Sequence, residues 1–351
     1  MPCAERTSDT PMNLHRTRLA AATFALLCAT ASAGTQPPAP PALAPADQTI
    51  TVRPHWTVGG EVRYRITHRR ETTRSGQPAN VLSMESTLNI RVLSADAKGY
   101  RLAWRSSVNS DRPPTADTLA TLDQLGQRMP ETLRLLKEGQ ETEILTDEDG
   151  LPVRLGNTDG LEKTAGVVRS ELEAVLKTTG KDAGLPEAVT GLVKGLMSTE
   201  AVARQQLAFA QSVLGVMGGE FEGRKPLEAP LTLDNPLGQM LGADAPPLKA
   251  TQRWQLESAS DQALVIGHRV ETDPESARQS LAITLDKLSQ KLGKAMPRDA
   301  VKGVTIQDSS RYTIDRASGW PERLTIERKV AVDAANGQGV RTDTRTIERI
   351  R

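Results

Sequence analysis

Apolar and polar residues alternate with period two over several stretches of the chain, as in strands that bury one face. Val62, Tyr64, Ile66 and His68 share one face, and Arg63, Arg65, Thr67 and Arg69 share the other. Leu82, Met84, Leu88, Ile90 and Val92 form a second inward row, and Tyr100, Leu102, Trp104 and Val108 a third, with a turn predicted over Asp96 to Gly99. One dry and one wet face point to antiparallel sheet. Further strands are predicted around Ile144, through Val153 and Leu155, at Trp254 and Leu256, and from Leu264 to Val270. Three more run over Val304 to Ile314, Leu324 to Val332 and Val340 to Ile350.

Helical spacing interrupts this pattern three times. Leu119, Leu122, Leu125 and Met129 predict a helix that Pro130 ends. Thr158 to Met217 reads as helical throughout, with Gly180 and Ser198 as expected caps and a stop at Gly218-Gly219. Asp273-Pro274 opens a further helix lined on one side by Leu281, Leu285, Leu288 and Leu292.

A repeat underlies these elements. Gly150-Leu151-Pro152-Val153-Arg154-Leu155 matches Gly319-Trp320-Pro321-Glu322-Arg323-Leu324 as Gly-apolar-Pro-x-Arg-Leu. Upstream, Thr121-Leu122-Asp123-Gln124-Leu125 matches Thr284-Leu285-Asp286-Lys287-Leu288 in the same order. The expected fold class is therefore α+β. Curved antiparallel sheets come from two pseudo-repeated β-β-α-β-β units, at 49–156 and 220–351 of one domain, with a helical insertion at 157–219 packed on the sheet.

The segments before Thr49 bear on compartment. Arg16 and Arg18, the apolar run Leu19 to Ala29 and Ala31-Ser32-Ala33 predict a cleavable signal peptide over 1–33. Residues 34–48 are a Pro/Ala-rich tether. The expectation is a periplasmic or secreted protein. Cys3 and Cys28 both lie in the leader, so the mature chain has no thiol and no disulfide.

Charge and chemistry narrow the function classes. With 44 Lys+Arg against 43 Asp+Glu, no net field recruits nucleic acid or an anionic membrane. No later apolar run is long enough for a membrane-spanning helix. Phosphate-loop, His-Glu-x-x-His, Gly-x-Ser-x-Gly and Ser-x-x-Lys motifs are absent. Nothing implies a cofactor or a metal, and the clustered Asp147, Glu148 and Asp149 read as a solvated turn. His68 and His268 occupy inward slots, where either a general base beside a carboxylate or a core-row histidine fits. Asp308 and Ser310 fall on the inward parity of their strand, where they require partners or a wet cavity; a strand bulge that turns them outward fits equally well. Arg341, Asp343 and Arg345 read as an outward charged row that protects an edge.

Together the long strands, the acidic hairpin Thr146-Asp147-Glu148-Asp149-Gly150 and the helical insert resemble uncharacterised exported bacterial proteins. In looser outline they are similar to LolA-like periplasmic carriers. That resemblance implies a curved sheet covered by helices over an apolar cavity, and no functional residue is carried over from it.

The expected function is a non-catalytic binding module for an apolar ligand or a partner segment. A structural or assembly protein that contacts another envelope protein is the alternative, and a hydrolase the third. Aromatic residues make up only 3 % of the chain. The inward Tyr64, Trp104, Trp254 and Tyr312 are therefore the candidate ligand liners, with plain core as the competing role.

Overall fold

The computed structural model describes residues 49–108, 123, 126–183, 198–223, 225–233, 247–292, 301–334 and 337–351. The strands are β1 (Thr49–Thr51), β2 (Glu61–Arg74), β3 (Gln77–Asp96), β4 (Gly99–Val108), β5 (Gln140–Thr146), β6 (Pro152–Leu155), β7 (Glu220–Glu222), β8 (Leu227–Leu233), β9 (Leu248–Ala259), β10 (Ala263–Thr272), β11 (Val301–Asp315), β12 (Pro321–Ala334) and β13 (Gly337–Ile350). The helices are α1 (Pro130–Glu138), α2 (Asp159–Ala183), α3 (Thr199–Leu214) and α4 (Pro274–Leu292).

Strands from both halves of the chain join one antiparallel sheet of 11 strands, ordered β6-β5-β4-β3-β2-β13-β12-β11-β10-β9-β8. Strand β13 pairs with β2, which joins the two runs of strands at the sheet centre: Ile347 lies opposite Ile66, and Arg345 opposite His68. The short strands β1 and β7 form a separate two-stranded sheet.

The large sheet is bent around α3. Laid flat, strands ~4.8 Å apart would hold the β5–β6 and β11–β12 turns far apart, yet both reach the segment after β1. A side chain at Gly150 would meet Pro54 and Trp56, and one at Gly319 would meet the backbone of Arg53 and Pro54. Both glycines have positive φ, 89° and 74°, so the close approach and the turn geometry each require glycine. Trp56 stacks on Trp320 with ring centroids 4.1 Å apart, and Tyr100 meets Trp56 at a tilt with centroids 4.9 Å apart.

The two hairpins share a register. In one, Ile144 faces Leu155 and Thr146 faces Pro152; in the other, Tyr312 faces Leu324 and Ile314 faces Pro321. Each ladder skips the residue after its proline, Val153 or Glu322, as a bulge, and each proline stands at its strand start.

Helix α3 fills the bend. Gln211 donates from Nε2 to the Pro152 carbonyl at 3.0 Å, and the Tyr312 hydroxyl donates to the Ser212 carbonyl at 2.9 Å. Ala210, Val213 and Leu214 are buried against Tyr64, Leu88, Ile90, Leu102, Ile266, Leu324 and Ile347. A smaller cluster joins α1 to α2 through Met129 and Leu172.

Several sequence expectations are corrected. Residues 126–128 are helical and that helix stops at Met129, before Pro130 as expected; Pro130 also opens the next helix, α1, where its missing N–H falls in the first turn and needs no partner. Leu119, Leu122 and Leu125 lie outside the described residues. Helix α2 runs through Gly180 to Ala183. Ser198 does cap α3, its Oγ accepting from the Ala201 N–H, but the helix ends at Leu214, before the expected glycines. On α4 the fully buried stripe is Ala277, Ser280 and Thr284, while Leu281 and Leu285 are half-buried. Small residues let the helix approach closely, and the leucines flank that contact.

Candidate functional site

The four aromatic candidates all point to the concave side of the sheet, but they do not share one environment. Tyr64, Trp104 and Tyr312 are 0, 1 and 3 % exposed and sit in the core around α3. Trp104 meets Phe209 of α3 edge-on at 5.7 Å. Burial drives the Tyr64 and Tyr312 hydroxyls to pKa values above the ordinary tyrosine range. The Tyr64 hydroxyl and the Trp104 indole N–H are buried with no hydrogen-bond partner among the described residues. Trp254 alone is half-buried; it stacks on His268 at 3.8 Å and lies 6.0 Å from Tyr312.

One step along the strands from this core, the concave face changes character. The apolar rung Ile66, Ile347, Leu324, Tyr312 and Ile266 is followed by His68, Arg345, Ile326, Ser310 and His268, and then by Arg70, Asp343, Arg328, Asp308 and Val270. Arg341, Asp343 and Arg345 therefore face inward, contrary to the sequence expectation. Their parity is that of Ile347, which is fully buried. A row of charges looked costly to place inside; here the charges compensate one another at the open end of the bend.

Asp343 is the centre of this arrangement. Its Oδ1 accepts from Arg70 Nε and its Oδ2 from Arg341 Nε, both at 2.6 Å, and His68 Nε2 lies 3.8 Å away. The carboxylate side chain is only 12 % exposed. Burial by itself would raise its pKa, but the bonds from His68, Arg341 and Arg70 outweigh that and hold it well below the usual carboxylate range.

On the same rung, Arg328 grips Asp308 in a bidentate pair at 2.7 and 2.6 Å. Asp308 and Ser310 lie in regular ladder without a bulge and keep their inward parity. Arg345 lies over the Phe209 ring at 4.9 Å. His268 is lowered to about 4, burial being the main cause against an opposing pull from Asp308.

The convex face carries cross-strand pairs of a simpler kind. Arg311 bonds Glu257 at 2.6 Å, Arg101 bonds Glu143 at 2.9 Å, and Arg323 pairs with Glu348 at 3.0 Å. A cleft of about 820 Å³ at the Arg349 end of the sheet is lined by Glu61, Arg63, Asp315, Glu322 and Arg351. Arg349 bonds Glu322 at 2.9 Å and lies 3.6 Å from Asp315, which leaves that cleft largely neutralised.

In chemical terms the concave face offers guanidinium donors beside half-buried apolar side chains. Leu82, Met84, Ile306, Ile326, Val330 and Val332 share the parity of the charged rungs and are half-buried. Sequence reasoning missed the arginines of this surface. The signal that would have found them is the shared parity of Arg345 and Ile347.

No family model matches the chain, and no curated protein matches it. Among solved structures it is similar to lipovitellin, from work entitled "Lipid-protein interactions in lipovitellin", at TM-score 0.40 and 8 % identity. That match covers 84 % of this chain and 25 % of lipovitellin, so the chain spans about a quarter of that protein's length. A second likeness, to an outer membrane channel from Pseudomonas putida F1, has TM-score 0.15 and 9 % identity over 85 % of this chain and 97 % of the channel.

Proposed function

We propose that this protein is a non-catalytic binding module of the cell envelope or exterior, taking an apolar ligand or partner segment on the open part of its concave face. The observation that carries this reading is the set of half-buried apolar residues Leu82, Met84, Ile306, Ile326, Val330 and Val332, on the concave strand rows beyond the end that α3 packs. Concave surfaces with an apolar lining and a few placed polar groups are the usual form of ligand sites.

Within this reading the ligand surface lies beyond the aromatic rings, and Trp254 is the ring nearest to it. The same fold reading includes an internal duplication. The common register of the β5–β6 and β11–β12 hairpins supports it, as does the strand order, in which β6-β5-β4-β3-β2 and β12-β11-β10-β9-β8 read in the same direction across the sheet. The signal peptide read from Arg16 to Ala33 supports the compartment.

Native mass spectrometry of protein purified from the periplasm tests the function. A co-purifying ligand that Val330→Asp releases is the expected result. Protein that carries no ligand and binds no alkyl-chain probe would leave the assembly role, which the filled aromatic core favours.

A further inference from the structure

The arginines around Asp343 are not balanced by the acids beside them. Among the described residues, Arg70, Arg341 and Arg328 share the charged rungs with two acids, Asp343 and Asp308. Arg328 is occupied by its bidentate bond to Asp308, and Arg345 by the Phe209 ring. Arg70 and Arg341 share the single carboxylate of Asp343.

The manner of sharing matters. Both bonds run through Nε, one to each oxygen of Asp343. Neither arginine has another protein partner among the described residues, so both terminal amino groups of each guanidinium remain without a protein acceptor. Arg70 is held this way although its side chain is only 19 % exposed. These open donors reach water at the mouth of the concave face, and the planar guanidinium fork matches phosphate or carboxylate oxygens. Asp343, bonded on both oxygens, fixes the orientation of the two side chains. The neighbours opposite them are apolar: Leu82 faces Arg70, and Val330 faces Arg341.

We propose that Arg70 and Arg341, clamped by Asp343, form the headgroup site for an anionic amphiphile of the phosphate class, whose chain lies on the apolar strip of β11 and β12. This rests on the binding-module reading and names the ligand class of that same face. Arg70 and Arg341 are binding residues; Asp343 is the positioning residue that holds them.

The test is calorimetric titration of the full mature chain at low ionic strength with three probes: dodecyl phosphate, inorganic phosphate and the neutral dodecyl maltoside, each below its micelle concentration. Dodecyl phosphate should bind the wild type, and Arg341→Gln and Arg70→Gln should each weaken it at least fivefold. Arg269→Gln, on the convex face, should leave it unchanged. Arg341 is 47 % exposed, so its variant keeps the fold if Arg70→Gln does not, and thermal melts check both.

Unchanged affinity for dodecyl phosphate in a folded Arg341→Gln overturns the headgroup site; if the neutral amphiphile still binds, the module reading survives it. If inorganic phosphate binds as tightly as dodecyl phosphate and responds to the same variants, the anion site stands and the apolar reading falls. If no probe binds, both fall.

Discussion

The two ends of the concave face are made from the same strands and differ in what closes them. At one end, β2, β4, β10, β11, β12 and β13 bring Tyr64, Trp104, Ile266, Tyr312, Leu324 and Ile347 against α3. At the other, two rungs further along β2, β11, β12 and β13, the same rows carry Arg70, Asp343, Arg328 and Asp308. Burial at the first end is completed by a helix. At the second, charges are tolerated because they are paired and reach water. A strand row is thus no single environment: parity decides which face a residue takes, and the covering element decides whether that face is dry.

The largest test of this contrast is Trp104→Ala, expected to cost about 3–5 kcal/mol by urea denaturation, as for other buried aromatic truncations. Trp254→Ala, at the half-buried position, should cost less than half as much. Equal losses would erase the distinction between the two ends.

Asp343→Asn should cost about 1–3 kcal/mol, since it weakens charge-assisted bonds to Arg70 and Arg341. Tyr312→Phe, which removes one neutral bond to the Ser212 carbonyl, should cost about 1 kcal/mol. Thermal melts of the two variants rank them.

Acid titration separates the groups of the charged end. His268 titrates lower in the folded state than its ordinary value of 6.5, at about 4. The unfolded chain therefore takes up the proton first, and stability should fall as pH drops from 6.5 towards 4. Asp343 has a depressed value, so its contribution is present above the ordinary carboxylate value of 3.8 and is lost only as pH falls below that. NMR titration of His268 checks the first window, and comparison of wild type with Asp343→Asn at acid pH the second. The smallest effect is expected on the convex face, where Arg311→Ala should cost no more than ~1 kcal/mol, as for exposed pairs generally.

Much of the sheet was legible. Long strands such as β2, β3 and β10 show clean alternation because one face is packed along much of their length. The short strands β1, β7 and β8 were not found, since three to seven residues with few apolar positions carry little periodic signal. The aromatic rows were assigned to the correct side, yet nothing in their spacing distinguished core rings from rings near an opening. The charged row of β13 was assigned to the wrong side because Ile347 is the only apolar member of its parity between Gly337 and Arg349.

By itself, the sequence determined that this chain forms an antiparallel sheet with helices on it, since period two and period 3.6 are local properties of the chain. It also marked the two Gly-apolar-Pro-x-Arg-Leu turns, because a positive φ and a missing N–H are local demands. Only the tertiary structure decided that β13 returns to pair with β2, that the sheet bends until both turns meet Pro54, and that α3 fills one end and leaves the other charged. Those outcomes depend on contacts between residues far apart in the chain, such as Arg70 with Asp343 and Tyr312 with Ser212. No local pattern encodes which of two parities a distant helix will cover.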